Sequence, residues 1–78
     1  MIDISIGDIV QRNTIDGYEL LLVLREWKET SEEITYECLE RWTDGRYHVI
    51  SMTVWKNDSY RDLCVIGYMD LTNLKLLR

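Results

Sequence analysis

The stretch YECLERWTDGRYHVISMTVW, residues 36–55, decides the fold, because its two apolar-rich segments flank the turn signal Asp44-Gly45. A two-residue turn at Asp44-Gly45 would pair polar with apolar side chains across the hairpin, such as Ser51 with Cys38. A type I turn followed by a left-handed Gly45 in a glycine bulge moves the register by one residue. That register places apolar opposite apolar and polar opposite polar, and the sequence therefore favours it.

The bulged register also assigns the two faces of the hairpin. The side chains expected to point inward are Ile34, Tyr36, Cys38, Ile50, Met52 and Val54. Those left outside are Leu39, Arg41, Tyr47, Val49 and Trp55. A mixture of aromatic, aliphatic and Arg side chains is the usual composition of an interface centre. Two alternatives stay open: a strongly twisted hairpin that presents both faces to the core, and a C-terminal segment that covers the outer patch.

The rest of the chain reads as short strands between turn signals, without proline, repeats or low-complexity tracts. The run YELLLVLREW, residues 18–27, is apolar on both sides and is typical of a central strand covered on both faces. Before the hairpin, we expect a strand over 4–12 with a bend at Gly7-Asp8, a turn over 13–17, the run 18–27 as a strand, and a polar turn over 28–33. After the hairpin, we expect a turn-rich segment over 55–62. Residues 63–78 are then expected to form a strand, a short turn at DLTN and a last strand LKLL. These expectations describe a single mainly β domain, residues 1–78, of five to six short antiparallel strands.

The composition argues against a basic nucleic-acid-binding surface, a membrane contact and a zinc site. The 78 residues include 14 acidic and 9 basic side chains, a net charge of −5, so the general attraction of a basic surface to a nucleic-acid backbone is missing. No apolar stretch has the length of a spanning helix, and Asp3 and Asp8 stand where a signal peptide needs positive charge, which predicts a cytoplasmic protein without a membrane contact. Cys38 and Cys64 lack the close spacing of a zinc site and are expected to be reduced and buried.

No set of residues predicts catalysis. The only histidine, His48, lies opposite Glu40 in the favoured register, which predicts a Glu-His pair at the rim of the sheet. Cys38 is several residues from His48, and no phosphate-binding glycine loop, metal-binding spacing or calcium-type loop is present. We therefore expect neither an enzyme nor a bound cofactor or metal.

The pattern of short strands, with IGDIV near the start and a short turn or 3-10 segment before NLKLL near the end, resembles the small SH3-like barrels across most of the chain. No segment matches the ALYDY-type motif of true SH3 domains, so binding of proline-rich peptides is not implied. The nucleic-acid-binding KOW branch has a similar Gly-Asp before its first strand and further regular glycines, of which only Gly7 and Gly17 are found here.

Function is predicted from charge and aromatic content. We define the acidic ridge as Glu26, Glu29, Glu32 and Glu33. Such a ridge could imitate a phosphate ladder and dock onto a basic protein site, with a Trp as anchor. In size and charge the chain is similar to the inhibitors, anti-CRISPR proteins and DNA mimics among them, that phages and mobile elements direct against nucleases and CRISPR complexes. The predicted partner-binding residues are Trp27, Glu29, Glu32, Glu33, Leu39, Arg41, Trp42, Tyr47, Val49 and Trp55.

Two further functions remain as alternatives. One is a nucleic-acid-binding barrel whose contacts would be Arg12, Arg41, Arg46, Trp42 and Tyr47. The other is a structural or self-associating domain that pairs with its own copy through an open strand edge.

Overall fold

The computed structural model describes residues 4–57 and 62–69 as one antiparallel sheet of five strands. The strands are β1 (Asp8–Thr14), β2 (Gly17–Glu29), β3 (Glu33–Arg41), β4 (Tyr47–Trp55) and β5 (Leu63–Tyr68). Their order in the sheet is β4-β3-β2-β1-β5, so β1 to β4 follow one another and β5 returns to the side of β1. The described residues contain no helix, and the mainly β prediction is confirmed.

The β3–β4 hairpin has the predicted bulged register. Cys38 faces Ile50 and Tyr36 faces Met52, while Thr35 faces Thr53. Gly45 has φ +85° and donates its N–H to the Trp42 carbonyl at 2.9 Å, which closes the turn. A φ in this region favours glycine, which explains why the turn needs Gly45.

The core lies on one face of the sheet, as the alternation of the hairpin predicts. The buried apolar side chains are Ile4, Val10, Leu21, Val23, Tyr36, Cys38, Met52, Val54 and Leu63, with Ile34 and Ile50 packed against them. All six hairpin residues predicted to point inward belong to this set. Burial of one such side chain contributes roughly 1.5–3 kcal/mol, and this face therefore holds the sheet together.

β2 is the central strand, as predicted, but it is longer than predicted and bent. It begins at Gly17 and ends at Glu29, so Lys28 and Glu29 belong to the strand, and the polar turn is confined to residues 30–32. Its pairing with β3 shifts register at two places, near Leu24 and near Trp27. Each shift inserts an extra residue, which bends the strand and increases its twist.

Two expectations for the β1 end of the sheet were wrong. The predicted strand bounds of 4–12 were wrong, because β1 begins at Asp8 and runs on to Thr14. The bend predicted at Gly7-Asp8 is present as a turn before the strand, where Gly7 has φ +94°. β2 is also not covered on both faces within the described residues, since Leu20 is 44% exposed.

β5 confirms a strand where the sequence predicts one after residue 62. The turn at DLTN and the last strand LKLL lie outside the described residues.

Candidate interaction surface

The outer face of the sheet carries a row of apolar side chains across four neighbouring strands. Ile9 faces Leu22, Leu22 faces Leu39, and Leu39 faces Val49. Because facing residues in a sheet point to the same side, these four side chains form a continuous line opposite the core. Alternation adds Leu20 and Tyr47 in the next row. We call these six residues, Ile9, Leu20, Leu22, Leu39, Tyr47 and Val49, the outer strip.

Much of the outer strip is open to solvent. Val49 is 59% and Tyr47 62% exposed, and Leu39, Leu22 and Ile9 are half-buried. Single exposed apolar residues are ordinary on a protein surface, whereas a large contiguous apolar patch is typical of an interaction site. Arg41 faces Tyr47 within the strip and gives it a single cationic side chain.

A cleft continues from the outer strip where β2 and β3 separate. Pairing between the two strands ends at Leu21 and Glu40, and beyond that point β2 pairs only with β1 and β3 only with β4. The cleft has a volume of about 700 Å³ and is lined by Tyr18, Glu19, Leu20, Glu40, Arg41, Trp42 and Thr43. Leu20 belongs to both features, and Arg41 of the cleft faces Tyr47 of the outer strip, so the strip and the cleft form one surface.

Trp42 is held in the wall of this cleft by two contacts. Its indole Nε1–H donates to Glu40 Oε1 at 2.8 Å, and its ring stacks on His48 with centroids 3.7 Å apart. His48 faces Glu40, as predicted, but its buried Nε2 has no hydrogen-bond partner in the described part of the chain. The Glu40 carboxylate bonds to Trp42 instead, and the arrangement fixes an aromatic wall rather than a Glu-His acid-base pair.

The acidic ridge is partly neutralised by neighbours that are distant in sequence. Lys56 Nζ donates to Glu29 Oε2 at 2.7 Å and, more than any other contact, lowers the pKa of Glu29. A hydrogen bond to Glu29 raises the pKa of Glu26. Glu32 is exposed and Glu33 half-buried. The ridge therefore presents less negative charge than its four carboxylates suggest.

The remaining predicted aromatic contacts lie apart from one another. Trp27 is 58% exposed and sits at the second register shift of β2, beside the acidic ridge. Trp55 faces Glu33 on the outer face, at the end of the hairpin away from Gly45. Of the predicted partner-binding residues, Leu39, Arg41, Tyr47 and Val49 come together in one surface, and Trp42 borders it.

The arginines of the nucleic-acid alternative do not share a face. Arg12 Nε donates to Glu19 Oε2 at 2.8 Å on the core side of the sheet. Arg46 lies at the hairpin tip, 4.0 Å from Asp44, whereas Arg41 points to the outer face. They do not form the continuous basic stripe that tracks a phosphate backbone.

The cysteines are free, as expected, but they differ in environment. Cys38 is fully buried, and burial raises the pKa of its thiol to about 11, which keeps it protonated and unreactive at neutral pH. Cys64 is exposed, so its predicted burial was wrong. The reason is that it faces Gln11, on the outer side of β5 rather than toward the core.

The sequence alone does not assign Ile9, Leu20 and Leu22 to the outer surface. For Leu20 and Leu22 the signal lies in the run of residues 18–27, whose second apolar side is also typical of a strand covered on both faces. The residue contacts across β1, β2 and β3 were needed to see that this side joins the exposed face of the hairpin.

Residues 4–57 and 62–69 include no helix with the length and apolar character needed to span a membrane. They also include no group of three or more His, Cys, Asp and Glu side chains placed to hold a metal ion. No protein-family model matches the chain, and no curated protein or solved structure shows significant similarity to it.

Proposed function

We propose that this chain is a non-enzymatic protein-binding domain that uses the outer strip and the adjoining cleft as its contact surface. The observation that carries the proposal is the unbroken line from Ile9 to Val49 across four strands, on the face opposite the core. Apolar side chains together with an aromatic and an arginine are the composition expected of an energetically important contact. The strand order and the long, bent β2 resemble the small SH3-like barrels, a scaffold whose function depends on its surface rather than on its fold.

The partner in this proposal is a protein that handles nucleic acid, and binding inhibits or regulates it. The net charge of −5 supports this partner class, because it favours approach to a basic site and disfavours approach to nucleic acid itself. Glu32 and Glu33, which have no ion-pair partner in the described residues, would supply the charge contact. The outer strip would supply the apolar contact that holds the complex together.

The test is affinity capture from a lysate of the cells that express the chain, with wild-type protein compared with Val49→Asp. A charge in the middle of a desolvated apolar contact should lower the captured partner at least about tenfold, since each 1.4 kcal/mol changes affinity by that factor. Ile15→Asp is the matched control, because it makes a similar aliphatic-to-acid change at a fully exposed turn residue. Its capture should equal that of wild type.

The combined variant Glu29→Gln, Glu32→Gln and Glu33→Gln separates the partner class from the contact surface. If the partner has a basic nucleic-acid site, this variant should bind less and should no longer compete with nucleic acid for that partner. Unchanged capture by this variant, together with loss by Val49→Asp, would keep the strip and reject the acidic mimic. Full capture by Val49→Asp, or direct salt-sensitive binding of nucleic acid by the chain, would contradict the proposal.

A further inference from the structure

β4 presents a row of backbone groups that point away from the sheet. Trp42 N–H bonds to the Arg46 carbonyl, and Lys56 N–H bonds to the Glu32 carbonyl, at opposite ends of the hairpin. The pairs Trp42–Arg46 and Glu32–Lys56 lie in the same register as the hairpin and are both even-numbered. Hydrogen-bonded pairs occur at every second residue of an antiparallel ladder, so the even-numbered residues of β4 bond to β3. The backbone N–H and C=O of Val49, Ser51 and Thr53 therefore face outward, and among the described residues β4 pairs with β3 alone.

β4 also lacks the features that keep strand edges apart. Its nine residues, YHVISMTVW, contain no Lys, Arg, Asp, Glu or Pro, and its pairing with β3 has no register shift. Charged residues, prolines and bulges are the usual protection of an exposed edge. The opposite edge, β5, is likewise uncharged, but it has only six residues, contains Gly67 and shifts register against β1. β4 is therefore the better template for an added strand.

We propose that two copies of this chain pair through their β4 strands, antiparallel and about a two-fold axis near Ser51. Each chain has a net charge of −5, which opposes contact between two copies over most of the surface. The β4 strand carries no formal charge, so a second copy fits at this edge, where the two backbones would meet. A two-fold contact uses the same edge on both copies, so it closes the assembly and leaves no β4 edge free. The pairing places Ser51 opposite Ser51 and Val49 of one copy opposite Thr53 of the other, and it puts both outer strips on the same face of the joined sheet.

The dimer is tested by sedimentation equilibrium on wild type, Ser51→Pro and Ser51→Ala. Proline removes an N–H that β3 does not use, so the hairpin ladder stays intact while the edge loses a central donor. Wild type and Ser51→Ala should reach twice the monomer mass with the same dissociation constant, and Ser51→Pro should raise that constant at least about tenfold. Wild-type protein that stays monomeric at about 1 mM would overturn the proposal. A series of masses larger than the dimer would also overturn it, because pairing of β4 with β5 of the next copy does not close.

Amide hydrogen exchange provides a second readout that needs no variant. Ile50 and Met52 bond to β3 and should be protected at every protein concentration. Val49, Ser51 and Thr53 should exchange quickly in dilute protein and slow together as concentration rises. Dimerisation without this change at the three outward amides would place the contact elsewhere and overturn the β4 assignment.

Discussion

Leu21→Ala is expected to lower the free energy of unfolding by about 2–5 kcal/mol, because it removes most of a fully buried side chain and leaves a cavity. Leu21 sits in the central strand, between Val10 of β1 and the β3 strand, so its loss weakens contacts on both sides. A domain of this size has a total stability near the lower end of about 5–15 kcal/mol. Urea denaturation followed by circular dichroism should show a large fall in the midpoint of unfolding.

Leu20→Ala is the matched control, since the same substitution is made one residue earlier on the opposite face. Leu20 is 44% exposed, so its truncation should cost less than about 1 kcal/mol. It should instead weaken partner capture, because Leu20 belongs to the outer strip. Equal destabilisation by the two variants would mean that both faces of β2 are covered and that the outer strip is part of the core.

The hairpin register could be predicted because two independent signals in residues 36–55 agree. The alternation of apolar side chains selects one register, and Gly45 is the residue type that the corresponding bulge requires. Such signals are local, since the partners are neighbours along the chain. Tyr36 and Met52 are accordingly buried and Tyr47 exposed, as that register requires.

The parts that could not be predicted depend on contacts between distant segments. The start of β1 is set by Gly7, whose carbonyl accepts from Met69 N–H beyond β5. The charge of the acidic ridge is set by Lys56, which is 27 positions from Glu29. The outer strip requires the register of β2 against two neighbours, and the bulges in β2 break the simple alternation that a sequence reveals.

These long-range contacts change the balance between the two predicted contact surfaces. From the sequence, the glutamates were the most distinctive local feature. In the fold, Lys56 offsets part of their charge, while apolar residues of β1 and β2 lie beside those of the β3–β4 hairpin on one face. Surface ion pairs contribute little to binding energy, whereas a desolvated apolar centre contributes most of it. The outer strip is therefore the stronger basis for a partner contact.

Gly7→Ala should destabilise the domain by about 2–5 kcal/mol, through two effects at one residue. Its φ of +94° is strained for a residue with a side chain, and an added Cβ would lie 2.5 Å from the carbonyl oxygen of Met69. That neighbour is backbone and is tied to Gly7 by a 2.8 Å hydrogen bond, while Gly7 N–H bonds to Val23 O at 2.8 Å. Relief of the clash therefore requires β5 to move away from the β2 side of the sheet.

Gly45→Ala separates the two effects, because Gly45 has a similar φ of +85° but no atom within 4 Å of an added Cβ. Gly45→Ala should lower the free energy of unfolding by the conformational strain alone, about 1–2 kcal/mol. Thermal and urea unfolding of both variants should give the larger loss for Gly7→Ala, and the difference measures the contact between Gly7 and the end of β5. Equal losses would show that β5 shifts freely at Met69, and that the β1–β5 pairing, rather than this contact, holds the last described strand in place.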